Sequence, residues 1–111
     1  MKRLIKAEMN KRSSLTQMEQ KIFNDAKELI KNNEEIFLNT DNGEINVWYI
    51  QFEKCPHEQK IAIIVYQYYE DEDTHDIYTK NNHSFISTEK FLNMTESDFE
   101  KLINELVYYA Q

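Results

Sequence analysis

The chain has a single glycine, Gly43, among 111 residues, and this scarcity excludes several kinds of active site. A phosphate-binding P-loop, a dinucleotide-binding Gly-x-Gly-x-x-Gly turn and a Gly-x-Ser-x-Gly nucleophile elbow all need more than one glycine. Acidic residues are plentiful, but no pair of them is marked by the sequence as a buried acid–base couple. We therefore expect a protein that is not an enzyme and that has no cofactor.

Cysteine is as rare as glycine, and long apolar runs are missing. The single Cys55 excludes an intrachain disulfide framework. The basic start of the chain is not followed by an apolar segment of the kind that signal peptides contain. The longest apolar run, at 61–66, is far shorter than the roughly 18 residues of a membrane span. We expect a cytoplasmic protein with no membrane partner.

Thiol and imidazole ligands for a metal ion are few. They are Cys55, His57, His75 and His83. A zinc site needs three or four such side chains to converge, commonly as close sequence pairs. Cys55 and His57 form one loose pair, and the other two histidines would face each other only across a predicted hairpin. We expect polar surface residues here and no metal site.

An amphipathic pattern near the start of the chain predicts a helix. Apolar residues at 15, 18, 22, 23, 26, 29 and 30 repeat with the 3.6-residue period of an α-helix. Ser14, three residues before Gln17, predicts a capping box at its beginning, and Asn32-Asn33 predicts its end.

A second amphipathic pattern lies at the other end of the chain. Apolar residues from Phe99 to Ala110 form a stripe of the same period. Thr95 precedes acidic residues and is the expected N-cap, since hydroxyl side chains accept the free N–H groups of a first turn. The sequence of residues 87–94 predicts a short extra helix that precedes this C-terminal helix.

Between the helices, residues of high β-propensity predict an antiparallel sheet. The candidate strands are 34–40, 44–54, 60–69, 76–80 and 84–87. Asn42-Gly43 is a strong signal for a two-residue hairpin between the first two strands. The second strand is apolar on both faces, so we expect it to lie in the centre of the sheet or to be covered on both of its faces. A turn at 81–83 would separate the last two.

The order of elements predicts a single α+β domain. It comprises an N-terminal helix, a three- to five-stranded antiparallel sheet and a C-terminal helix, with the helices on one sheet face. We assign residues 13–111 to this domain. Residues 1–12 form a basic N-terminal segment that we expect to be frayed.

Charge is distributed unevenly along the chain. Residues 1–12 hold five basic side chains against Glu8, so the other 99 residues hold eight basic and nineteen acidic side chains, a formal charge of −11. Because such a body repels nucleic acid and attracts basic surfaces, we expect a basic protein partner. We expect direct nucleic-acid binding only through residues 2–12. That segment is equally suited to docking as an amphipathic segment or to pairing with acidic surface of its own or a second copy.

The densest negative charge lies in YQYYEDEDTHDIY, at 66–78. Its five carboxylates are Glu70, Asp71, Glu72, Asp73 and Asp76. A calcium loop counted from Asp71 would need glycine at its sixth position and glutamate at its twelfth, where the chain has Asp76 and Asn82. Two interpretations remain: a solvated turn, or an acidic surface that contacts a partner.

Tyrosines surround these carboxylates. Tyr68, Tyr69 and Tyr78 are either half-buried sheet residues or interface residues that bury area beside acids that pair with arginine and lysine. If residues 70–73 were extended, Glu70 and Glu72 would project to one side about 6.7 Å apart, close to two phosphate steps of DNA. We predict that the three tyrosines and the five carboxylates form the partner-binding site.

In size, acidity, use of residues with A/T-rich codons and lack of a catalytic motif, the chain resembles small inhibitors from phages and mobile elements. Anti-CRISPR proteins and other DNA mimics are examples, and bacterial toxin-immunity proteins are similar. The resemblance implies an inhibitor that binds the basic nucleic-acid-binding surface of a nuclease-type enzyme, such as a CRISPR effector. The alternatives are an immunity-type protein that neutralises a toxin, and a nucleic-acid-binding regulator that uses the basic N-terminal segment.

Overall fold

The computed structural model describes residues 15–111, which form three helices and four strands. In chain order these are α1 (Gln17–Lys31), β1 (Ile36–Asn39), β2 (Trp48–Lys54), β3 (Lys60–Glu70), β4 (Ile77–Ser87), α2 (Thr88–Leu92) and α3 (Glu96–Tyr108). The strands form one antiparallel sheet in the order β1-β2-β3-β4. The predicted α+β fold is confirmed, with β2 central as expected. The predictions for residues 1–12 lie outside the described residues.

The N-cap of helix α1 is Thr16 instead of the predicted Ser14. The Oγ1 atom of Thr16 accepts the N–H of Glu19 at 3.1 Å, and the carboxylate of Glu19 accepts the N–H of Thr16 at 2.9 Å. The predicted capping box at Ser14 and Gln17 was therefore wrong in position. A glutamate closes the box in place of a glutamine because its charge also interacts favourably with the helix dipole. The helix ends at Asn32, as predicted.

One face of the sheet carries the hydrophobic core. Ile50 pairs with Val65 and Phe52 with Ile63 across β2 and β3, and all four side chains are buried. Strand side chains alternate between faces, so these residues share the face that the helices cover. The helix residues that complete the core are Phe23, Phe91 and Phe99. Both predicted helical stripes therefore face the core, with the exception of Met18, which was predicted to belong to the first stripe and is exposed.

The connection between β1 and β2 is longer than predicted. Asn39 pairs with Gln51, so residues 40–47 form a loop in place of a two-residue turn at Asn42-Gly43. Gly43 has a φ of 81°, a left-handed conformation that glycine adopts without steric cost. The turn prediction failed because tyrosines of the sheet bind this loop.

Strand β4 runs without a break, so the predicted turn at 81–83 was wrong. Asn81 exchanges two backbone hydrogen bonds with Gln111, at 3.0 and 3.1 Å. The side-chain amide of Asn82 donates to the carbonyl of Leu106 at 3.1 Å. Asparagine favours turns when its side chain must bond locally. Here the C-terminal segment satisfies these polar groups and keeps the strand extended.

The C-terminal predictions are confirmed. Thr95 is the N-cap of α3, and its hydroxyl accepts the N–H of Asp98 at 3.1 Å. Helix α2 lies within the predicted segment 87–94, where it buries Phe91. Across residues 15–111, none of the helices has the length and apolar character needed to cross a bilayer.

Candidate functional site

The five predicted carboxylates lie at the end of the β3–β4 hairpin, and we call Glu70, Asp71, Glu72, Asp73 and Asp76 the acidic tip. Glu70 pairs with Ile77 as the last pair of the ladder. Beyond it the chain closes at once into a compact loop, in which the N–H of Asp71 donates to the carbonyl of Asp76 at 2.9 Å. Residues 70–73 are therefore not extended, and the condition for a DNA-like spacing of Glu70 and Glu72 is not met.

The loop closes early because Asp71 bonds to its own backbone neighbours. Its Oδ1 atom accepts the N–H of Asp73 at 2.8 Å and the N–H of Thr74 at 2.9 Å. These backbone donors, that of Thr74 foremost, hold the pKa of Asp71 below its usual value. The charge of Asp71 therefore serves to hold the loop in shape.

The other carboxylates of the acidic tip point to solvent. Glu70 lies 3.2 Å from the Nδ1 atom of exposed His75. Glu72, Asp73 and Asp76 are exposed. Within residues 15–111, no lysine or arginine forms an ion pair with any carboxylate of the tip. Three negative charges are therefore available for an external cation.

The three predicted tyrosines do not form one group. Tyr69 and Tyr78 pair across β3 and β4, with their ring centroids 5.7 Å apart. The Nζ atom of Lys80 lies 4.9 Å from the centre of the Tyr69 ring. Tyr68 projects to the opposite face because neighbours in a strand alternate. Only Tyr69 and Tyr78 are therefore side by side at the tip.

A groove of about 500 Å³ lies beside the acidic tip. Glu70, Glu72 and Asp73 form its charged wall, while Tyr69 and Ile45 supply apolar surface. Arginine and lysine carry a cationic head on an apolar stem, so this groove is complementary to both parts. Ile45 was not among the predicted site residues. It reaches the tip because loop 40–47 replaces the start of the predicted second strand.

On the sheet face without helices, three tyrosines hold loop 40–47 in place. The hydroxyls of Tyr66 and Tyr68 both donate to the same carboxylate oxygen of Asp41, at 2.8 and 2.7 Å. The hydroxyl of Tyr49 donates to the carbonyl of Glu44 at 2.9 Å. Strand alternation places these rings on one face, but nothing local in the sequence indicates that they converge on Asp41.

These contacts change the acidity of the groups involved. The Tyr68 hydroxyl, the N–H of Gly43 and the Tyr66 hydroxyl together lower the pKa of Asp41. Burial and the hydrogen bond to Asp41 raise the pKa of Tyr66 well above its ordinary range. The ionised form of Asp41 is therefore the form that stabilises the loop.

Replacement of Asp41 by asparagine tests this assignment. At pH 7 we expect Asp41→Asn to lower the free energy of unfolding by about 1 kcal/mol, because neutral hydrogen bonds replace charge-assisted ones at a partly exposed site. Because folding lowers the pKa of Asp41, its charge stabilises the fold at pH values above the ordinary aspartate pKa near 3.9. This stabilisation is lost as the pH falls through the lowered pKa. Wild type and variant should therefore converge below about pH 4.

Urea unfolding of both proteins over a pH series measures this difference. Asp71 and Asp98 also have lowered pKa values, but they titrate in both proteins and cancel in the comparison. A difference that stays constant from neutral to acidic pH would show that the charge of Asp41 does not hold the loop.

The same sheet face exposes two aromatic rings that the sequence did not single out. Phe37 and Phe85 are both well exposed. They lie at the same level of the sheet on its two edge strands, with Glu53 and Ala62 between them. Three strand spacings separate them by about 14 Å, so they do not form one continuous patch.

The thiol and imidazole side chains of Cys55, His57, His75 and His83 do not converge on one site. Because β4 is continuous, His75 and His83 do not face each other across a hairpin. Over the described range 15–111, no three histidine, cysteine, aspartate or glutamate side chains are grouped to hold a metal ion.

No family model, no curated protein and no solved structure matches the chain.

Proposed function

We propose that the protein is a non-enzymatic inhibitor that binds a basic protein surface through the acidic tip. One observation carries the proposal: Glu72, Asp73 and Asp76 are exposed at the end of a hairpin, and no lysine or arginine among residues 15–111 pairs with them. Charges arranged in this way attract a cationic surface within about a Debye length and pair with arginine and lysine on contact.

Apolar groups beside the acidic tip would add contact area. Tyr78 is 43% exposed and Ile45 is 41% exposed. Aromatic and aliphatic anchors next to charged groups are typical of the residues that contribute most to binding energy. We assign Tyr68 to the support of loop 40–47, since its hydroxyl is bound to Asp41.

The charge of the whole domain supports a partner that normally binds nucleic acid. Residues 13–111 carry a formal charge of −11. A CRISPR effector or another nuclease presents a basic channel to a polyanion, and an acidic domain of anti-CRISPR or DNA-mimic type competes for that channel. The alternative is an immunity-type protein, which would cover a toxin at a surface that need not bind nucleic acid.

Competition with nucleic acid separates these two functions. Immobilised protein is used to capture partners from a lysate of a low-GC bacterium, and the bound protein is identified and purified. We expect its binding to be displaced by DNA or RNA and to weaken as salt rises. A partner whose binding is unaffected by both would exclude a nucleic-acid mimic and favour the immunity-type function.

A mobility-shift assay addresses the remaining alternative, a regulator that itself binds nucleic acid. We expect no shift of DNA or RNA at low salt, because the acidic body repels phosphate. A shift that disappears on deletion of residues 1–12 would favour the regulator and contradict the inhibitor.

A further inference from the structure

Lys54 is a buried charged residue without a counter-ion in the described part of the chain. It is the last residue of β2, and only 5% of its surface is exposed. Its Nζ atom donates one hydrogen bond, to the carbonyl of Cys55 at 3.0 Å. Within residues 15–111 no carboxylate forms an ion pair with it.

Such an arrangement is costly unless another group supplies negative charge. An ammonium group has three donors, so Lys54 has two more than the Cys55 carbonyl accepts. A buried charge is normally paired, because the interior replaces little of the hydration that the ion loses. Two N–H donors of Lys54 are therefore available to an acceptor that enters from outside the described residues.

Lys54 is one of the residues that line a cavity. The cavity measures about 310 Å³ and is lined by Lys54 together with Asn33, His57, Gln59 and Thr88. The N–H of Thr88 donates to the carbonyl of Gln59 at 2.9 Å, which fixes one wall to the other. The volume lies at the lower end of the range for ligand sites, about 300–1,000 Å³, and so fits a small ligand.

We propose that this cavity, which we call the Lys54 pocket, binds a small oxyanion, either a phosphate or a carboxylate group. Lys54 supplies the charge, while the hydroxyl of Thr88, the side-chain amides of Asn33 and Gln59 and the imidazole of His57 supply further hydrogen-bond donors. Glu58 also lines the cavity, and it is exposed to solvent.

The site is independent of the acidic tip. The Lys54 pocket adjoins the β2–β3 turn, whereas the tip adjoins the β3–β4 turn at the opposite end of β3. The net charge of the domain is negative and repels anions. Binding of an anion therefore depends on the local surroundings of Lys54.

Thermal unfolding in phosphate, compared with chloride at equal ionic strength, tests the proposal. At a phosphate concentration ten times the dissociation constant we expect Tm to rise by about 5 °C, because the anion binds only the folded state. Lys54→Met should abolish this rise. The matched control, Lys60→Met, removes an exposed lysine near the pocket and should retain it.

Several outcomes would overturn the proposal: no phosphate-specific rise in the wild type, a rise that survives in Lys54→Met, or a rise that is lost equally in Lys60→Met. Amide NMR shifts of the wild type provide a second measurement in case Lys54→Met fails to fold. Saturable shifts at Gln59 and Thr88, with none at the acidic tip, are expected. Parallel titrations with methyl phosphate, which has no carboxylate, and with acetate show whether the pocket prefers a phosphate or a carboxylate group.

Discussion

Replacing Glu72 and Asp73 together by lysine should weaken binding to a cationic partner about tenfold at low salt. Each lost exposed ion pair contributes up to about 1 kcal/mol, and the new lysines add repulsion. A tenfold change corresponds to about 1.4 kcal/mol. The dependence of affinity on salt should also become shallower, since fewer ion pairs form in the complex.

The measurement does not require the natural partner. Fluorescence anisotropy of a labelled nona-arginine peptide reports binding of a cationic surface over a salt series, and the captured partner is then measured in the same way. Asp71 is left unchanged because its carboxylate accepts two N–H groups of the loop. Its reversal would disturb the shape of the loop as well as its charge.

Glu34→Lys together with Glu35→Lys is the matched control. These two adjacent glutamates are exposed, and they precede Ile36 at the far end of the sheet from the acidic tip. The control changes net charge by the same amount, so any difference between the variants reflects position. We expect it to weaken binding about twofold at most, from the smaller global charge. Equal losses in both variants would mean that binding depends on net charge and not on the tip.

Replacing Phe99 by alanine should produce the largest loss of stability, about 3–5 kcal/mol of the free energy of unfolding. Phe99 is fully buried and stacks on Phe23 with ring centroids 4.4 Å apart. Its ring also lies 5.6 Å from that of Phe52 in the sheet. Removing it breaks the contact that joins α1, α3 and β2, and the cavity cannot close without moving a helix.

Urea unfolding measures this loss, and Tyr109→Ala serves as the control. Tyr109 is 64% exposed near the end of the chain, so its removal should change stability by no more than about 0.5 kcal/mol. A loss below about 1 kcal/mol in Phe99→Ala would show that the aromatic core does not hold the helices on the sheet.

Local periodicity was sufficient for the two longer helices and for strand β3. Helix α1 and helix α3 each bury one stripe against the same sheet, so a 3.6-residue pattern identifies them without knowledge of their partners. Strand β3 is one residue longer than predicted, and its odd-numbered residues from Ile61 to Val65 are buried. In these elements burial recurs with the period of the helix or strand, so the pattern of apolar residues reveals the element.

Local turn signals failed where distant residues competed for the same groups. Asn42-Gly43 favours a tight hairpin, but Asp41 accepts two tyrosine hydroxyls from β3 and draws the loop across the sheet. Asn81 and Asn82 favour a turn, but the C-terminal segment bonds to both. Such partners are 24 residues or more apart in the chain, and short sequence windows do not contain them.

The α+β class, the negative charge of the body and the stretch in which that charge is densest all follow from the order and type of the residues. The surroundings of the individual charges depend on the tertiary structure. The packing of distant elements joined Tyr66 and Tyr68 to Asp41, brought Ile45 to the acidic tip and buried Lys54 without a counter-ion among residues 15–111. Composition and strand alternation are properties of neighbouring residues, whereas burial and hydrogen-bond partners depend on which distant elements pack against each other.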